Sequence, residues 1–251
     1  MHTLGLNRYA LFAALIVSIF IQLVPLAAEE PFTISNSYQN LLSNDQETGI
    51  LDRIFKEVFG RLGMEVELVF TPTNESLADV NAGIIDAEAN RIAGMGELYP
   101  NFRRVPEPNM TMEFVAFSKE EHEFDGWESI QGFDIGIVRG WKILENHTQD
   151  FPYVITVPTE VELFTMLEKG RIDLALYAKL TGYACLKEMD LPHIAHLDPP
   201  LETRNMYLYV HKKHADLTDD IARVLREIKS DGTYEQIVDD VRKNYGIEIS
   251  Q

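Results

Sequence analysis

The sequence is poor in cysteine, in basic residues and, past its first 28 positions, in long apolar runs. Each shortage excludes something. A single cysteine among 251 residues, Cys185, cannot form an intrachain disulfide. It sits in "TGYACLKEM", which reads as a helix, and no partner constellation accompanies it. A buried small apolar residue is a better reading of it than a nucleophile. Only 22 basic residues stand against 40 acidic ones, a formal net charge of −18. So acidic a surface repels nucleic acid and anionic lipid and sets both aside as partners. No stretch after residue 28 is long and apolar enough to span a bilayer. The GxxxxGK(S/T) phosphate loop, the GxSxG elbow and the HExxH zinc motif are all missing. "HIAH" (193–196) and "HKKH" (211–214) are weak metal signals: in extended segments the two imidazoles of each point to opposite faces, and surface histidines are the better reading.

What is present begins with "MHTLGLNRYALFAALIVSIFIQLVPLAA". It carries one charged side chain, Arg8, then an apolar run, then small residues at Ala27 and Ala28. That order is expected of a signal peptide over residues 1–28, cleaved near Ala28–Glu29, which leaves a soluble chain exported to the periplasm. The alternative is an uncleaved anchor. The run is short for a spanning helix, and Pro25 with the flanking alanines favours cleavage.

The composition of 45% apolar and 25% charged residues is ordinary globular usage. "FTIS", "MEVELVF", "IIDAEAN", Met110–Phe117, "FDIGIV", "YVITV", "IDLALY" and "NMYLYV" read as strands. "TGILDRIFKEVFGRLG" places Ile50, Leu51, Ile54, Phe55, Val58, Phe59 and Leu62 on one helical face ending at Gly63. Asn74 is expected to cap a helix running to Gly83. Thr159 with Glu162 caps "EVELFTMLEK", which stops at Gly170. Two helices, Leu217–Lys229 and Tyr234–Asn244, close the chain. Strands alternating with helices predict an α/β fold with largely parallel sheets.

One motif occurs twice. "NAGIIDAEA" (81–89) and "EKGRIDLAL" (168–176) share helix, Gly, x, Ile, Asp, strand, which implies two similar lobes with a cleft at the carboxyl ends of their strands. Asp86 and Asp173 stand at matching strand starts, where turn hydrogen bonding is a better reading than catalysis. Arg91 ends the strand of the first copy. A guanidinium there needs an anionic partner: a ligand in the cleft, or Glu88 or Glu113 internally.

The set Gly49 with Asp52 in "GILDRIFKEVFGRLG", "NAGIIDA", "SIQGFDIGIVRG", "LEKGRIDLALY" and "LREIKSDGTYEQIVDDVRKNYG", in this order and spacing, resembles the family 3 extracellular solute-binding proteins. That resemblance implies a two-lobed periplasmic binding protein fold of type II-like form: two mainly parallel sheets, flanking helices and a two-strand hinge. Lobe 1 would comprise residues 29–116 and 208–251, and lobe 2 residues 117–207. The crossings would fall near Phe114–Lys119 and Tyr207–Lys212. The resemblance also implies ligand-binding positions: Tyr38 as an aromatic packed on the ligand, Thr73 and Asn74 on a closing loop, Asn90 and Arg91 after the first-lobe strand, Arg139, Trp141 and Lys142 on the second lobe's strand-to-helix turn, and Tyr177.

Two departures bear on the ligand. The family's Ser/Thr-x-x-Arg segment is replaced by "GELYPNFRR", and the acidic residue that holds an ammonium is replaced by Ala178. With an acid lost and bases gained, the expectation is a carboxylate or other anion rather than a standard amino acid, with Arg91 gripping it and Arg139 facing it. The function implied is capture of a small carboxylate-bearing solute for the membrane permease of an ABC importer, as a monomer with no cofactor and no metal. Two alternatives stay open: a receptor that reports ligand to a membrane kinase or chemoreceptor, and a cyclohexadienyl dehydratase-like enzyme on the same fold, for which Glu113 is a candidate general acid.

Overall fold

The structure, a computed structural model, describes residues 30–247; the expected signal peptide lies outside them. The chain runs β1 (Phe32–Asn36), α1 (Ile50–Arg61), β2 (Val66–Phe70), α2 (Thr73–Ala82) and β3 (Ala87–Arg91), then α3 (Met95–Leu98), β4 (Phe102–Arg104) and β5 (Met110–Ser118). A 3-10 turn at Trp127–Ile130 leads into β6 (Ile135–Val138), α4 (Lys142–Thr148), β7 (Val154–Val157), α5 (Glu160–Glu168) and β8 (Leu174–Ala178). Then come α6 (Lys179–Glu188), β9 (Ala195–His196), β10 (Glu202–His211), α7 (Thr218–Ser230) and α8 (Thr233–Asn244). Among the described residues no helix is long and apolar enough to cross a membrane.

The same β-α-β-α-β unit occurs twice. In the first, the parallel strands lie in the order β2-β1-β3; in the second, β7-β6-β8. Between them run two long antiparallel strands, giving the overall order β2-β1-β3-β10-β5-β8-β6-β7. β10 pairs with β3 from Tyr207 to Val210 and with β5 from Glu202 to Met206; β5 passes to β8 from Phe114 to Phe117. Hydrogen bonding therefore continues through β10, and the two parallel blocks join in one mixed sheet rather than standing as separate sheets. The shared β5–β10 ladder occupies Met110–Phe114 and Glu202–Met206, a few residues ahead of the crossings expected from sequence. Alternation tells that a segment is extended; which neighbour each half pairs with is decided by tertiary contact.

α1 forms because its apolar residues recur at helical spacing. Ile50, Leu51, Ile54, Phe55, Val58 and Phe59 are all fully buried, and α7 and α8 pack against this helix. Its start is fixed by Asp52, whose carboxylate accepts from the Gly49 amide at 2.9 Å, the Asn44 amide at 3.2 Å and Ser43 Oγ at 2.5 Å. A side chain at Gly49 would sit 2.6 Å from the backbone of Leu42 and Ser43. α2 begins one residue before the expected cap: Pro72 flanks it and Asn74 lies inside it, because proline's fixed φ suits a helix entry. Thr159 caps α5 as expected, accepting from the Glu162 amide at 3.2 Å. In the second block, Phe117 packs edge-on against Phe164 and Tyr183.

Candidate functional site

The carboxyl ends of the parallel strands carry nearly all the residues marked out from sequence. β1 leads to Tyr38, β3 ends on Asn90 and Arg91, β6 leads to Arg139 and Trp141, and β8 holds Tyr177. Asn90 is fully buried with φ 58. Its Nδ2 donates to the Tyr38 hydroxyl at 3.0 Å and to Met112 Sδ at 3.4 Å, and its Oδ1 accepts from Asn109 Nδ2 at 2.9 Å. Burial raises the Tyr38 phenol's pKa, opposed by the Arg91 charge and the Asn90 bond. From the other block, Trp141 lies 4.8 Å from Tyr177 and meets Phe114 edge-on at 5.7 Å. Burial pushes the Tyr177 phenol well above its ordinary range, with Glu160, Cys185 and Tyr38 adding to it. A pocket of ≈160 Å³ beside Tyr38 is lined by Asn36, Ser43, Asn44, Leu68 and Phe70.

Arg91 is held internally. Its Nε donates to Glu88 Oε1 at 2.6 Å, its Nη2 ion-pairs with the same oxygen, and Nη2 also donates to Ser37 Oγ at 3.0 Å. Glu88 is fully buried, and its Oε2 accepts from Ser76 Oγ. Burial pushes the Glu88 carboxyl's pKa up, while the guanidinium and the hydroxyl pull it back. Residues i and i+3 of a regular strand face opposite sides. Asn90 breaks the alternation: its left-handed conformation coincides with a register shift of β10 between Tyr207 and Tyr209, opposite this strand end. Arg91 thereby turns back to the side of Glu88. Of the two internal partners open from sequence, Glu88 takes the guanidinium, and Glu113 instead pairs with Lys179 at 3.2 Å.

The turn after β6 is also closed on itself. Glu145 accepts from the Gly140 amide at 2.8 Å and from Lys142 Nζ at 2.6 Å, so a carboxylate of the chain fills the place expected for a bound anion. Arg139 is exposed. Thr73 and Asn74 open α2. Ala178 is buried opposite Phe114. Sequence reasoning passed over Glu145 and Asn109, both positioned by local backbone that residue types alone do not reveal.

The histidine pairs are only partly on the surface. His193 pairs with Glu168 at 2.7 Å and is half exposed. His196 binds Tyr183 Oη at 2.6 Å, His211 is buried, and His214 donates to Asp86 at 2.8 Å. Among the described residues no three His, Cys, Asp or Glu side chains gather as a metal site.

No protein-family model matches the chain. The L-cystine-binding protein TcyA of Bacillus subtilis is 22% identical over 222 residues, 88% of this chain and 80% of that protein. A solved histidine kinase sensor domain with similarity to periplasmic binding proteins superposes with TM-score 0.68 at 16% identity, covering 84% of this chain and 95% of that one. An ancestral arginine-binding protein bound to arginine gives TM-score 0.68 at 18% identity, covering 84% and 97%. The chain has the periplasmic-binding-protein fold. Tyr38, Asn90, Trp141 and Tyr177 lie at or just past the carboxyl ends of its parallel strands, the edge at which open α/β sheets take ligands.

Proposed function

We propose that this protein captures a small amino-acid-like solute between two lobes and delivers it to the membrane permease of an ABC importer. Lobe 1 would contain β1–β4 with α7 and α8, lobe 2 would contain β6–β9, and the β5–β10 ladder would be the hinge. What supports the reading is that Tyr38 and Asn90 of one unit and Trp141 and Tyr177 of the other stand at or just past the carboxyl ends of their strands. An apolar aromatic wall with a few fixed polar groups suits a small organic ligand. The likeness to TcyA and to the arginine-binding protein supports an amino-acid-like solute. Export by the N-terminal segment and work in the periplasm belong to the same reading, which requires no bond-making step.

The test is a thermal-shift screen of the purified chain against the twenty amino acids and L-cystine, with mass spectrometry of any ligand released on denaturation. A ligand that binds only the folded state raises the melting temperature by mass action. A hit lost in Trp141→Ala supports the reading; no stabiliser and no released ligand would sink it. The likeness to the kinase sensor domain supports a second reading, in which the same capture is reported to a membrane kinase. Deletion separates the two: loss of ligand uptake favours import, and loss of a transcriptional response with uptake intact favours sensing.

A further inference from the structure

The Arg91–Glu88 pair bears on what the cleft accepts. A free guanidinium offers a carboxylate a two-point fork. Here one edge of that fork is used: Nε and Nη2 serve Glu88 and Ser37, while Nη1 has no hydrogen-bond partner among the described residues. Arg91 keeps 16% of its side-chain surface exposed and Glu88 none, so the base alone reaches solvent while the acid neutralises it from behind. Two further cations are paired with carboxylates: Lys142 with Glu145 at 2.6 Å, where the base is again the more exposed, and Lys179 with Glu113 at 3.2 Å, where the acid is. Arg139 is exposed, where water and salt screen it. Arg91, at the end of β3, therefore offers a hydrogen-bond donor on a cation whose charge is already balanced.

We propose that Glu88 sets the charge preference of the site: by neutralising Arg91 and occupying one edge of its guanidinium, it leaves Nη1 as a single donor, so the site takes a net-neutral amino-acid-like ligand rather than a net anion. The proposal rests on the solute-binding reading above and narrows the ligand class. Breaking the pair to free a two-point fork would leave a carboxylate buried without its cation, which is costly. A ligand carbonyl or the carboxylate of a zwitterion can accept from Nη1 without breaking it.

The test uses L-glutamine and L-glutamate, which share a shape and differ by one charge, titrated into the wild-type chain, Glu88→Gln and the double variant Glu88→Gln/Arg91→Met. The wild type is expected to favour glutamine over glutamate. Glu88→Gln, which uncovers a full positive charge at nearly constant shape, should shift that ratio toward glutamate by about tenfold or more, the effect of one charge-assisted contact. The double variant, neutral again and protected from an unpaired buried base, should lose the shift. A wild type that prefers glutamate overturns the proposal whether or not Glu88→Gln folds. So does an unchanged ratio in Glu88→Gln, or a failure of both probes to bind either protein. If another amino acid in the wider screen still binds the wild type, solute capture stands and only the role of Glu88 falls.

Discussion

Asp86 accepts the Thr33 amide at 2.9 Å, and Asp173 accepts the Asp134 amide at 2.9 Å, each one residue before the first register pair of its strand. Asp86 thus staples β3 to β1, and Asp173 staples β8 to β6. The same residue type, at the same place in both copies of the repeated motif, sets the register of the parallel pair beside it. This is the physical content of "GIID" and "GRID", and it is why an aspartate suits both: a carboxylate reaches an amide that the ladder has not yet begun to satisfy.

Asp86 carries the heavier duty, since it also accepts from Lys213 and from His214 Nε2. Burial works to raise its pKa, but the bonds from Lys213, Thr33 and His214 outweigh it and hold the carboxyl well below the ordinary range. A folded pKa depressed below the unfolded value of about 3.9 means stability that is present above that pH and lost as pH falls through the folded pKa. Asp86→Ala should cost about 2–3 kcal/mol at pH 7, the scale of hydrogen bonds to a charged group. Asp86→Asn should flatten the fall in melting temperature below about pH 4. A melting curve whose acid limb is unchanged in Asp86→Asn would show that other carboxylates govern acid unfolding.

Gly182 lies in α6 against the ring of Phe117, and a Cβ there would overlap the ring carbons. Ordinarily Gly to Ala inside a helix gains about 1 kcal/mol. Here Phe117 is fully buried and gripped by Phe164 at 5.2 Å and Tyr183 at 5.4 Å, so it cannot step aside. Overpacking costs about 1–3 kcal/mol and should win. Urea denaturation of Gly182→Ala should show a lower midpoint, partly restored by adding Phe117→Leu. A raised midpoint in the single variant would mean the helix gain dominates.

Glu145 is held below its ordinary pKa by the Lys142 bond first and the Gly140 amide second. Its removal orphans the amide at the start of α4. Glu145→Ala should cost about 1 kcal/mol at pH 7, as the loss of a helix cap does. Glu145→Gln keeps an acceptor and should cost less. The gap between wild type and Glu145→Gln should shrink as pH falls below the carboxylate range, because protonated Glu145 no longer attracts Lys142. A gap that persists at low pH would show that the group acts by packing instead.

Much of the architecture was legible because period and punctuation agree. The face of α1 was visible in the spacing of Ile50, Ile54, Phe55 and Val58, and the repeat was visible in two glycine–aspartate turns. The ends of the chain also read correctly as helices: α7 and α8 fall within a residue or so of the expected bounds. The extra elements α3, β4 and β9 were not legible, being two to four residues long and too short to show a period. Nor was the fate of Arg91. Strand alternation sends Glu88 and Arg91 to opposite faces, and only the left-handed turn at Asn90 brings them together. Asparagine is among the residues that tolerate that conformation, so the signal existed in "EANR", but it is weak without the β10 register shift beside it.

That places much of the site's geometry on Asn90. Its side chain joins Tyr38, Met112 and Asn109, and Asn109 Oδ1 finds no partner among the described residues, so the Asn109 side-chain amide is anchored through Nδ2 alone. Asn90→Ala removes these bonds in a fully buried place, at about 1–3 kcal/mol for groups left unsatisfied. It also sets a plain Cβ at φ 58 without the local hydrogen bonding that eases asparagine there, at about 1 kcal/mol more. Asn90→Gly separates the two terms: it loses the same bonds but adopts φ > 0 freely. Urea denaturation should therefore rank the proteins wild type, Asn90→Gly, Asn90→Ala in falling stability, with about 2–4 kcal/mol between the extremes. Tyr38→Phe, which removes one end of the network, should cost less than either. If Asn90→Gly and Asn90→Ala were equally stable, the backbone term would be absent, and the turn of Arg91 toward Glu88 would owe nothing to the conformation of the residue before it.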